Sequence, residues 1–206
     1  MGNIVINHNR YYSLSRPFIV LDNIFSSQEC DDIIEYVSKN ERLQDSSLGV
    51  MDNVDHYVRR SQSTFLFPKE ENGLIFERIK EVTDHVNNNY FNYDIWGFEK
   101  IQYAEYNNRH NHYAWHYDMQ TNKEGEGDAV SLTRKLSVSV FLSDEDSYEG
   151  GSFELGIMPE GEPEYVIKQT KGSAVFFPSF AMHRVTPVTD GVRRSLVVWM
   201  EGPRLK

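Results

Sequence analysis

His116-Tyr117-Asp118 sets an imidazole and a carboxylate two residues apart. In an extended strand, residues i and i+2 point to the same face, so both side chains can converge on one ion. One further histidine would make two imidazoles and a carboxylate, a set that leaves positions open on an octahedral ion and suits O2-activating ferrous iron. That partner must be distant in the chain. His183 follows the apolar stretch 173–177 and the turn pair Pro178-Ser179, and ten residues after it the chain reads Arg193-Arg194-Ser195. Arginine offers a planar fork that matches a carboxylate, where lysine offers a point charge. Arg193 and Ser195 share one strand face, so a hydroxyl can add a hydrogen bond to an anion held there. Arg194 points the opposite way and reads as an exposed surface charge.

Other histidines offer a rival. His110 and His112 could join His116 in a three-histidine zinc site. That arrangement explains neither Asp118 nor the distant His183 and Arg193, so both histidines are placed in a loop at the cavity mouth. His8, His56 and His85 stand outside any motif and are read as surface or packing residues. Gly150-Gly151 is read as a tight turn with unusual dihedrals. Trp199 is expected in the core beneath the site.

These residues need a frame. Residues 17–22 (PFIVLD) form a short apolar strand, and Ser26 with Glu29 has the spacing of a capping box. Ile33, Ile34 and Val37 then make the apolar stripe of a helix running to about Asn40. Residues 41–56 read as loop, and 57–67 as a strand ended by Pro68. A second helix is expected from Glu70 to Tyr90, with Leu74, Ile75, Ile79, Val82 and Val86 on its apolar face. From Trp96 the chain turns to strands: 97–106, 114–118, 134–143, 151–155, 164–169, 173–177, 183–188 and 193–201. Turn signals at Gly150-Gly151, Lys171-Gly172, Pro178-Ser179 and Asp190-Gly191 separate them. In 134–143, Leu136, Val138, Val140 and Leu142 alternate with Lys135, Ser137 and Ser139, the pattern of a half-buried strand. Helices followed by a run of strands predict an α+β chain whose C-terminal half closes into a β-sandwich or barrel.

HYD at 116–118, LSVSVFLSDEDSYEGGSFEL at 136–155 and HRVTPVTDGVRRSLVVW at 183–199 resemble the Fe(II)/2-oxoglutarate-dependent dioxygenases. Within them the chain is most similar to the prolyl-4-hydroxylase-like group and its PKHX-type hydroxylase branch. PFIVLDNIFSSQECDDII at 17–34 resembles that group's N-terminal strand and helix, while NNRHNH at 107–112 departs from the Gly-rich loop usual there. The resemblance implies a double-stranded β-helix, or jelly roll, with supporting N-terminal helices in one domain over 1–206 (support 1–95, catalytic core 96–201). It implies His116, Asp118 and His183 as iron ligands and Arg193 as the anchor of the far 2-oxoglutarate carboxylate, with Ser195 beside it. A family tyrosine that reaches the same carboxylate maps to Tyr106, with Tyr103 as rival; Tyr113, beside the motif, is expected in ordinary core packing. The cofactors implied are Fe(II), 2-oxoglutarate as co-substrate and O2, with ascorbate as a candidate reductant. The reaction implied is hydroxylation of an unactivated C–H bond, and Asp118 favours it because related halogenases lack that carboxylate. A prolyl residue in a peptide or protein is the implied substrate, with a free amino acid or small metabolite as the alternative. Nucleic-acid demethylation and a non-catalytic jelly-roll binding module stand further off.

Composition narrows the field. A 206-residue chain with 12 Tyr, 12 Phe and 3 Trp can bury a sizeable core. The formal net charge of −10, with acids gathered in 124–128, 144–149 and 160–164, repels phosphate backbones and argues against nucleic acid as a partner. No apolar run approaches a membrane span, no secretion signal opens the chain, and Ile6 breaks a myristoylation motif at Gly2. A lone cysteine, Cys30, fits a reducing cytosol, so a cytoplasmic location is expected.

Overall fold

The computed structural model describes residues 17–46, 57–98, 100–107, 109–120, 132–156 and 163–204. His8, His56, the acidic stretch 124–128, most of 160–164 and the greater part of the expected loop 41–56 lie outside the described residues.

The first helix, α1 (Ser27–Asn40), begins where the sequence places it. The Glu29 amide donates to Ser26 Oγ at 3.2 Å, and the Ser26 amide donates to the Glu29 carboxylate at 2.7 Å, which satisfies two otherwise orphan N–H groups. Cys30, Ile33 and Val37 form its buried stripe; burial pushes the Cys30 thiol up to about 11, so it packs as an inert apolar group. The second helical segment is three pieces instead of one: a 3-10 turn at Glu70–Asn72, α2 (Gly73–Val86) and a π-helical turn at Asn87–Phe91. Ile75, Ile79 and Val86 are buried as expected, whereas Leu74 is 81% exposed. Leu74 sits in the first turn, one step round the helix from the stripe that Ile75 and Ile79 define.

The strands are β1 (Ile19–Leu21), β2 (Gln44–Asp45), β3 (Arg59–Arg60), β4 (Gln62–Leu66), β5 (Ile101–Asn107), β6 (His112–His116) and β7 (Leu132–Phe141). They continue with β8 (Tyr148–Gly150), β9 (Phe153–Gly156), β10 (Tyr165–Ile167), β11 (Ala174–Pro178), β12 (Met182–Val185) and β13 (Val188–Pro203). The larger sheet runs β1-β11-β7-β13-β5-β4-β2, with β8 also paired to β13, and the smaller runs β10-β9-β12-β6-β3. All pairs of named strands are antiparallel, and the two sheets make the jelly roll. β1 to β4, from the first third of the chain, are hydrogen-bonded into these sheets.

Two apolar clusters fill the fold. Leu136, Val138, Val140, Phe176, Leu196, Val198 and Met200 pack with residues of α1 and α2 on one face of the larger sheet. Ala104, Tyr106, Phe141, Phe153, Leu155, Val175, Phe177 and Val185 pack between the sheets. β7 is therefore covered on both faces. Ser137 is fully buried and Ser139 only 4% exposed, against the half-buried strand that alternation predicts. Their polar face lines the interior instead of meeting water.

β13 also departs from expectation. Asp190-Gly191 does not break the chain into two strands; Gly191, at φ +69, lies within β13, where the register against β8 shifts. Gly172 does mark a turn, at φ +79, and its carbonyl accepts from the amides of Ile24 and Phe25. A Cβ there would fall 2.0 Å from the Phe25 carbonyl oxygen. Gly172→Ala is accordingly expected to cost at least about 1–3 kcal/mol, read as a lowered urea midpoint; an unchanged midpoint would contradict this placement.

Candidate active site

His116 closes β6, and His183 sits opposite it in β12 as a registered antiparallel pair. Asp118 lies just past β6, where its amide and that of Met119 both donate to the Ser179 carbonyl. The strand-face argument thus places His116 well but not Asp118, which a turn brings in. The ligand atoms of His116, Asp118 and His183 all lie within 4.8 Å of one another, and no other such cluster occurs among the described residues. His116 Nε2 is 3.7 Å from Asp118 Oδ1, and His183 Nε2 is 3.5 Å from Oδ2. His110 and His112 stay outside; His112 bonds backbone carbonyls of His110 and Tyr57 through its two ring nitrogens.

The cluster has the support a metal centre needs. His116 Nδ1 faces the Ala114 carbonyl at 2.8 Å, and His183 Nδ1 faces that of Ala181 at 3.0 Å. A carbonyl can only accept, so Nδ1 carries the proton on each ring and both Nε2 lone pairs face the cluster. Burial first, and then the neighbouring His183, pushes His116 down to about 3, so it is neutral and able to ligate. Burial drives the Asp118 carboxyl up, but the two imidazoles, the Ser137 hydroxyl and the Trp199 indole N–H outweigh it and hold it below its ordinary value. Ser137 Oγ donates to Asp118 Oδ2 at 2.8 Å and is 3.0 Å from Ser179 Oγ. The indole N–H favours the charged carboxylate from nearby without a formed hydrogen bond, and remains a buried donor with no partner. Two imidazoles and one carboxylate fit ferrous iron.

Ser137→Ala frees the Asp118 carboxylate to rotate. Its expected result is an Fe(II) affinity lower by about 10-fold, within the range for a ligand's supporting partner, measured by competition with a chelator. Unchanged affinity would show that Ser137 only packs.

The same narrow cavity reaches from the cluster to Arg193 and is lined by Tyr106, Ser195 and Trp199 as well. Arg193 is 2% exposed, and among the described residues no carboxylate pairs with it. Its Nε donates to Gln169 Oε1 at 2.6 Å and its Nη1 to Ser195 Oγ at 3.3 Å. Burial lowers its pKa, opposed by Tyr106 and Tyr148. A buried guanidinium with only neutral partners is costly and calls for an anion. The charge and the cavity fit the far carboxylate of 2-oxoglutarate.

Tyr106 lies under the guanidinium, 5.3 Å from its ring centre, on the inner face of β5. Tyr103, offset by an odd number of residues, faces the helix-side core, where burial pushes its hydroxyl upward. Three expectations need correction. Tyr113 packs against the inter-sheet cluster but is also a wall of the site, with its ring stacked on His116 at 3.4 Å between centroids. Trp199 lines the cavity instead of sitting beneath it. Arg194 is half-buried and donates through Nε to Glu105 at 3.0 Å across to β5, so it is not a free surface charge. Ser137, Gln169, Arg59 and Arg134 were not singled out by the sequence; only the serine alternation of β7 carried a signal.

A jelly roll that sets two histidines and an aspartate opposite a buried arginine offers a site suited to iron and an anionic co-substrate. Residues 101–201 match the 2OG-Fe(II) oxygenase superfamily, which makes this stretch a domain of that family. That superfamily uses Fe(II), 2-oxoglutarate and O2. A PKHD-type hydroxylase of Synechococcus sp. (strain CC9605) is 43% identical over 89 residues, covering 43% of this chain and 36% of the relative. A PKHD-type hydroxylase of Hyphomonas neptunium is 43% identical over 77 residues, covering 37% of this chain and 33% of that one. The matched stretch is thus about a third of each relative's length. A prolyl hydroxylase from Trichoplax adhaerens, solved with a hypoxia inducible factor peptide fragment, shares the fold at TM-score 0.70 and 18% identity, covering 94% of this chain and 90% of that one. A Pseudomonas putida prolyl-4-hydroxylase does so at TM-score 0.67 and 16% identity, covering 96% and 98%. No described helix is long and apolar enough to cross a membrane.

Proposed function

We propose that the protein is an Fe(II)- and 2-oxoglutarate-dependent hydroxylase of an unactivated C–H bond, acting on a prolyl residue of a peptide or protein. The observation that carries the reaction class is the buried, carboxylate-free Arg193 in the same cavity as the two-histidine, one-carboxylate cluster. The prolyl substrate is supported by the names of two proteins that share the fold, both prolyl hydroxylases.

When bound, iron and 2-oxoglutarate supply O2 activation: one oxygen atom ends in the substrate hydroxyl and the other in succinate, with release of CO2. The protein's own groups bind and orient. His116, Asp118 and His183 hold the metal, with their orientation fixed by Ala114, Ala181 and Ser137. Gln169 grips Nε of Arg193, which turns the rest of the fork toward the cavity. Ser195 and Tyr106 complete the carboxylate pocket, and Phe153 and Val185 wall the interior against water.

The test is a library of prolyl peptides and free amino acids incubated with Fe(II), 2-oxoglutarate and O2. The expected result is a product heavier by one oxygen atom, formed together with an equal amount of succinate. Succinate release that no library member stimulates, with no oxidised product, would count against the reading.

A further inference from the structure

A second cavity, a cleft of about 540 Å³, meets the iron-ligand cluster at Asp118 and Tyr113 and extends along β5, β4 and β2. Its described walls carry Arg42, Arg59, Lys100 and Arg134, against Asp45 and the ligand Asp118. A chain of net charge −10 thus gathers cations beside its chemistry.

Arg59 is the informative member. It is 6% exposed, and among the described residues its partners are neutral: Nε donates to Ser61 Oγ at 2.9 Å and Nη2 to Gln102 Oε1 at 3.2 Å. Its guanidinium lies 4.6 Å over the Tyr113 ring, and that ring stacks on the iron ligand His116. One aromatic ring therefore separates a buried cation from the metal centre. Arg134 lies 4.1 Å over the Trp199 ring and 3.8 Å from Glu201, and it opens on the same cleft. Holding such a guanidinium out of water without an anion is unfavourable; Arg59 lines the inner cavity as well as the cleft, and a neutral prolyl peptide would bring it no carboxylate from the cleft side.

We propose that this cleft takes a substrate bearing a carboxylate, held by Arg59 and Arg134, so that the oxidised C–H bond lies a few atoms from an acid group. The proposal rests on the reaction class above and narrows its substrate. A planar fork stacked on an aromatic ring suits a single carboxylate. Nucleic acid draws its affinity from many phosphates along a surface, which the net charge opposes. A free amino acid and an acidic or C-terminal residue of a peptide present the same group.

The test uses full-length protein loaded with Zn(II), a redox-inert stand-in for iron, and 2-oxoglutarate. Calorimetry compares paired probes: L-proline, L-glutamate and L-leucine with their amides, and N-acetylated prolyl peptides ending in carboxylate with the same peptides ending in carboxamide. The acid of at least one pair should bind at least about tenfold tighter than its amide, and Arg59→Met or Arg134→Met should bring the two within about threefold. The arm showing the preference tells a free acid from a peptide. Equal binding of acids and amides, no binding by any pair, or a preference that survives both substitutions overturns the proposal. Arg134 does not line the inner cavity, so 2-oxoglutarate binding by Arg134→Met reports that the variant is folded. Wild-type protein that takes up no 2-oxoglutarate overturns the reaction class itself, an outcome distinct from bound co-substrate without acid preference.

Discussion

Asp118→Ala should abolish substrate-dependent succinate formation and remove most Fe(II) binding, while the chain stays folded. Asp118 is the only carboxylate of the cluster, and it is 6% exposed. Its Oδ2 is held by Ser137 and both oxygens face histidines, so no other described acid can swing in to replace it. Two neutral imidazoles alone leave a dication without the anionic ligand that fixes it. The loss should exceed the roughly 10–100-fold that follows removal of a supporting partner, and reach about a thousandfold or more in turnover. Chelator competition and succinate assays read the two effects separately. Turnover within about tenfold of wild type would remove Asp118 from the metal set.

Arg193→Met should raise the 2-oxoglutarate requirement by about 30- to 1000-fold, from the cost of truncating one partner of a buried charge pair. Arg193→Lys should recover little, because a point charge cannot replace the fork that Gln169 and Ser195 orient. A second readout separates binding from architecture. Wild-type protein without co-substrate buries this guanidinium among neutral partners, so Arg193→Met should leave the apo melting temperature unchanged or raised. A lowered melting temperature with an unchanged 2-oxoglutarate requirement would make Arg193 a structural residue.

Much of this site was legible because its residues carry their own periodicity. His116, His183, Arg193 and Ser195 sit on strands, and a period of two puts Arg193 and Ser195 on one face in fact as in expectation. The capping box of α1 was equally local and came out as read. Where alternation was taken to mean solvent, it misled. Ser137 and Ser139 point into the interior, where the Ser137 hydroxyl finds partners in Asp118 and Ser179 and Ser139 lines the cavity. The remaining residues of the site were hidden by sequence distance. Arg59 stands in a two-residue strand paired to β6 across more than fifty positions, and Gln169 reaches Arg193 across twenty-four. Neither lies in a motif. Arg194 shows the same limit from the other side: its partner Glu105 is eighty-nine residues away, so a charge that looked free is paired.

The proposed reaction requires Fe(II) and 2-oxoglutarate to meet at His116, Asp118 and His183. Anaerobic titration of the apo protein with Fe(II) and 2-oxoglutarate, followed by visible absorption, tests this directly. The predicted result is a weak metal-to-ligand charge-transfer band that appears only with both components and saturates at one equivalent of each. The band should be lost in His183→Ala and shifted to far higher 2-oxoglutarate in Arg193→Met. Absence of the band in wild-type protein, or its persistence in His183→Ala, would contradict the account.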